Sequence, residues 1–118
     1  MSNQFVAGDD LIFQLESGYG LLRVLAVDGE GTGTVWHLLA YEDFYPDVES
    51  AEQALASGHE MPVRNPHFAL TNRAFERTPA ARLGNRLVKD DELSEYKKWL
   101  DSDRQVSDRS ALLMLGIR

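Results

Sequence analysis

The sequence predicts an α+β domain: a curved antiparallel sheet of four or five strands, covered by C-terminal helices. Three observations carry this. Residues 8–43 read as three consecutive strands joined by short, glycine-containing connections. Residues 90–115 carry apolar side chains at helical spacing. Strands come first and helices last, which favours this class over alternating α/β.

Leu11, Phe13 and Leu15 alternate with Ile12, Gln14 and Glu16, close to the period of a half-buried strand. Ser17, Gly18, Tyr19 and Gly20 supply the first connection, because glycine takes positive φ without steric cost. Residues 21–27 are apolar apart from Arg23, as expected of a strand that is central or covered on both faces. Asp28-Gly29 signals a hairpin, lengthened by Gly31, Thr32 and Gly33. Residues 34–41 are rich in β-branched and aromatic types and make the third strand. Short connections make these neighbours antiparallel. Residues 1–7 read as a lead-in, with Phe5 and Val6 as a short edge strand.

Pro46 stops the ladder because it lacks an N–H. Asp47 is placed to cap a helix over 48–57, with Val48, Ala51 and Leu55 on one face and Gly58 at its end. Residues 58–66 contain two prolines and read as a loop. Residues 67–76 fit a strand or a helix; Pro66 before and Pro79 after favour a strand. Residues 85–88 offer a further short strand. Asp90, Asp91 and Glu92 suit the N-terminus of a helix over 90–101, whose apolar stripe is Leu93, Tyr96, Trp99 and Leu100. Ser107 caps a last helix over 108–115, ended by Gly116. The expected core joins Leu22, Val24, Leu38, Trp99 and Leu100, with Trp36 at its margin.

The 118 residues make one domain, 1–118. The absence of cysteine excludes disulfides and thiolate zinc sites and fits a reducing compartment. The first ten residues hold no basic stretch and no apolar core, so no secretory signal is expected. No apolar run approaches the ~20 residues of a membrane span. The expected location is the cytoplasm.

Net charge is −7, unevenly spread. Residues 1–60 hold eleven acids and one base, residues 61–89 six bases and one acid, residues 90–118 seven acids and five bases. The plain expectation is that the basic middle pairs with the acidic first half. The sharper one is that a charged patch serves a partner.

Four patterns bear on chemistry. Gly29, Gly31 and Gly33 resemble a phosphate-cradling loop, but a β-rich run follows where a helix N-terminus is needed, so a hairpin loop is expected. His37, His59 and His67 have no metal-binding spacing, and no metal or cofactor is expected. His37 lies upstream of Tyr41, Glu42 and Asp43, the residue types of an acid–base site. Arg64, Arg73, Arg77, Arg82 and Arg86, with Phe68 and Phe75, could hold a single strand of nucleic acid. A pI near 4.8 makes that the third choice. Residues 41–60 carry six acids and no base, beside Phe44 and Tyr45, and aromatic residues make good interface anchors.

The run from Gly8 and Asp9 through Leu15, then Gly18-Tyr19-Gly20, then Arg23-Val24-Leu25, resembles the opening of the immunity protein 26 family of bacterial toxin systems. The same pattern suits the first hairpin of a small SH3-like barrel, an alternative form for the sheet. The resemblance implies a protein that binds and blocks a toxin, and it carries over no catalytic residue. The leading expectation is therefore a protein-interaction module with a basic protein partner. A small-ligand or hydrolytic site around His37 and residues 41–43 is the alternative. The candidate binding residues are Tyr19, His37, Tyr41, Glu42, Asp43, Phe44 and Tyr45. Leu112, Leu113 and Leu115 are a candidate homodimer surface.

Overall fold

The computed structural model describes residues 5–58 and 60–117. His59 and the first four residues of the lead-in lie outside them. Strands β1 (Asp9–Leu15), β2 (Gly18–Asp28), β3 (Val35–Tyr41), β4 (Val63–Thr71) and β5 (Ala80–Asn85) form one sheet in the order β4-β3-β2-β1-β5. All four pairings are antiparallel. The class is α+β as expected. The sheet is open rather than a closed barrel, since β4 and β5 form its two edges.

Both faces of the three central strands are largely buried, which is why β2 is apolar almost throughout. On the first face Leu11, Phe13, Leu22, Val24, Trp36, Leu38 and Phe68 make one core. It is covered by α2 (Asn72–Glu76) and α4 (Ala111–Leu115) through Ala74, Phe75, Ala111 and Leu115. On the second face Ile12, Leu21, Leu25, Leu39 and Tyr41 meet Ala51 of α1 (Val48–Ala56). The segment 86–100 crosses this second face. It includes a 3-10 turn, Asp90–Leu93, and α3 (Ser94–Leu100).

The core differs from expectation at α3. Trp36 is 3% exposed and central, stacked 4.3 Å from Phe75. Trp99 and Leu100 are half-buried and belong to neither core. The cause is strand alternation: Trp36 shares its face with Leu38, while α3 lies over the opposite face against His37.

Gly18 and Gly20 sit inside β2, and the turn is Glu16-Ser17. A Cβ at Gly20 would meet the Phe13 ring at 2.4 Å, so packing, not the turn, requires glycine there. The expected loop 58–66 is strand from Val63 onward. Pro66 is tolerated because β4 is an edge. The ambiguous run 67–76 is both elements. The Thr71 hydroxyl accepts from the Ala74 N–H at 3.1 Å and starts α2. The last strand is 80–85, not 85–88. Phe5 and Val6 form no strand; Phe5 packs edge-on against Trp36 and Phe75.

Asp47 caps α1 as expected, accepting from the Ser50 N–H at 2.7 Å. Ser110, not Ser107, caps α4, because Ser107 bridges to Leu70 beside β4. The proposed leucine surface is not available as a unit. Leu115 is 8% exposed in the core and Leu112 packs against it, leaving Leu113, 66% exposed. Among the described residues no helix is long and apolar enough to cross a membrane.

Candidate functional site

Two polar constellations occupy the second face of the sheet. The first grows from Arg23, the one charge in the apolar run of β2. Alternation turns Arg23 to the same side as Leu21 and Leu25, where it is 1% exposed. A buried guanidinium must satisfy its five N–H donors. Arg23 does so within this domain. Its Nε donates to Glu92 Oε2 at 2.6 Å, and Nη1 to Asp10 Oδ1 at 3.2 Å and the Gly8 carbonyl at 2.9 Å. Its Nη2 donates to the carbonyls of Arg86 and Leu87 at 2.9 and 3.2 Å.

Asp10 also accepts both arms of Arg86, at 2.7 and 2.9 Å, and Arg86 reaches the Tyr41 hydroxyl at 3.0 Å. The bond to Asp10 raises the pKa of Arg86. Burial raises that of Tyr41. Burial also works against a charged Glu92, but the donors of Arg23 and of the Lys89 N–H win and hold its carboxyl low. Above this network lies an open cleft of about 710 Å³, with Leu39, Leu55, Met61 and Leu87 on its apolar side. Its size is that of a ligand or side-chain receptor.

The second constellation is a hydrogen-bonded chain. His37, fully buried, bonds through Nε2 to Asp28 Oδ2 at 2.8 Å and through Nδ1 to His67 Nε2 at 3.0 Å. The Tyr96 hydroxyl donates to the same Asp28 oxygen at 3.0 Å. Asp28 accepts at Nε2, which makes His37 Nδ1 the acceptor for the His67 N–H. The rings of Tyr96 and Trp99 each lie 4.6 Å from His37. Burial lowers the pKa of His37 against the pull of Asp28. Burial and His37 bring His67 down to about 4. The pair is neutral at pH 7, a weak base tied beneath α3.

The expected convergence of His37 with residues 41–43 does not occur. His37 meets Asp28, His67 and Tyr96, while Tyr41 belongs to the arginine network at the other end of β3. Glu42 lies 3.6 Å from Arg64, whose guanidinium sits 5.5 Å above the Phe44 ring. Asp43 is exposed. Tyr19 and Tyr45 do come together, exchanging backbone bonds of 2.8 and 2.9 Å. Burial and Asp43 raise the pKa of Tyr45. The residues that sequence reading missed are Asp10, Asp28, Arg23, Glu92 and Tyr96. Arg23 alone had a visible signal, a charge inside an apolar strand.

Charge is distributed unequally between the two candidate surfaces. All five arginines of the basic middle have acceptors. Arg64 pairs with Glu42, Arg82 with Asp9 at 3.7 Å and Arg86 with Asp10. Arg73 pairs with Asp108, and Arg77 bonds the Asp108 carbonyl at 3.1 Å. The six acids of 41–60 are all exposed, and only Glu42 has a basic partner among the described residues. No family model matches this chain, nor does any curated protein or solved structure.

Proposed function

We propose that this chain is a small protein-interaction module whose acidic, aromatic face over 42–60 binds a basic protein. One observation carries the reading: among the described residues five exposed acids of this face lack a basic partner, while Arg64 is taken by Glu42 and Arg82 and Arg86 by Asp9 and Asp10. Unpaired like charges on one surface favour an oppositely charged partner and speed its approach. The resemblance of residues 8–25 to the immunity protein 26 family supports a more specific form, a cytoplasmic bacterial protein that binds and blocks a toxin. Nucleic-acid binding by the basic middle loses support because those arginines already have acceptors.

A second reading, a ligand or hydrolytic site at His37, is favoured by the Asp28–His37–His67 chain. It is weakened by the burial of His37 and by the low basicity of His67. The homodimer through Leu112, Leu113 and Leu115 also loses support, since one exposed leucine is a small anchor.

Affinity capture with the full chain tests the main reading, comparing wild type with the combined Glu49→Lys, Glu52→Lys and Glu60→Lys variant. The expected partner is basic, is lost by the variant, and associates more slowly as salt is added. A partner retained by the variant, with an association rate indifferent to salt, removes the reading.

A further inference from the structure

Leu87 is 89% exposed, the most exposed large apolar side chain among the described residues. Its backbone is nonetheless held. Arg23, locked to Asp10 and Glu92, donates from below to the carbonyls of Arg86 and Leu87. The backbone that presents this leucine is already ordered, so binding costs only the ordering of the side chain itself. Val63, 44% exposed, and half-buried Met61 line the same cleft. Leu87 belongs to neither core. Glu60 and Asp91 on the cleft lining lack basic partners among the described residues, against one unpaired base, Lys89. Glu60 is also part of the acidic face, so the two surfaces are continuous.

We infer that Leu87 and its cleft are the anchor point of that interface. A basic segment of the partner lays a bulky apolar side chain against Leu87, Val63 and Met61, and its cations reach Glu60 and Asp91. This rests on the acidic-face reading and adds where contact is centred and which segment it takes. Charge selects a basic segment, and the apolar anchor adds to its affinity.

Two short lysine-rich peptides test this, identical except that a central Leu-Phe pair in one is Ser-Ser in the other. Each is titrated into the isotope-labelled full chain and followed by amide shifts. The apolar peptide is expected to bind about tenfold more tightly. Its shifts should concentrate at residues 60–63 and 86–92. Leu87→Ser should remove the advantage, while Leu113→Ser on α4 keeps it. Equal, salt-sensitive binding of both peptides overturns the anchor and leaves the acidic-face reading standing. Binding of neither overturns both. Concentration-dependent shifts of the same amides in the chain alone would make the occupant a second copy and overturn the inference.

Discussion

His37 and His67 lie on adjacent strands with rings nearly parallel, 5.2 Å between centroids, joined by a 3.0 Å hydrogen bond. A bond of this kind requires at least one neutral ring, and the surroundings keep both neutral. The groups facing the pair are Asp28 from the end of β2, and Tyr96, Trp99 and Glu95 from α3. Of these, Asp28 and Glu95 favour the protonated forms, but burial outweighs them.

The first prediction is a stability that falls with acid. His67 titrates near 4 when folded against an ordinary 6.5 when unfolded. Between those values the unfolded chain binds more protons, so stability rises with pH across the window and is lost as pH falls through it. Melting temperatures of wild type and His67→Gln, measured from pH 7 to 4, should converge at the acid end. Parallel curves would show that the histidine pair titrates normally.

Arg23 is the second test. Removing one partner from a buried ionic network leaves the others unsatisfied, and Arg23→Ala should cost roughly 3–5 kcal/mol in denaturant unfolding. Arg23→Lys should not restore the loss, because one ammonium cannot reach Glu92, Asp10 and three carbonyls together. Full recovery by lysine would reduce the network to a simple charge pair.

The first three strands and the α1 cap were legible because their signals are local: alternation, Asp28-Gly29, and Asp47 ahead of an apolar stripe. What was not legible depends on pairing between distant segments. His37 faces Ala69 in the β3–β4 register, which makes His67 its diagonal neighbour on the same face. Nothing near His37 in the chain announces that. The partners of Arg23 likewise arrive from Asp10 and from Glu92, 69 residues away. The helix in 72–76 was hidden because a five-residue element is too short to display a period.

The placement of α3 leads to a third prediction. Leu38 is fully buried in the first core, whereas Leu100 lies half-buried outside both. Leu38→Ala should cost about 2–5 kcal/mol, the range for a well-packed leucine. Leu100→Ala should fall well below it. Equal losses would place α3 on a core of its own.

The last prediction concerns α4. Its sequence is dense in leucine, yet its geometry divides them. Gly116, at φ 67°, ends the helix in the left-handed conformation, and the chain continues to Ile117, which packs on the first core with Leu112 and Met114. Only Leu113 points away. One leucine falls far short of the roughly 800 Å² per partner of a standard interface. Sedimentation of the wild type should therefore show a monomer at micromolar concentration, with Leu113→Glu unchanged in mass and nearly unchanged in stability. Leu115→Ala, by contrast, removes a buried side chain and should cost about 2–5 kcal/mol. A wild-type dimer that Leu113→Glu converts to a folded monomer would instead show that this one side chain nucleates a larger contact.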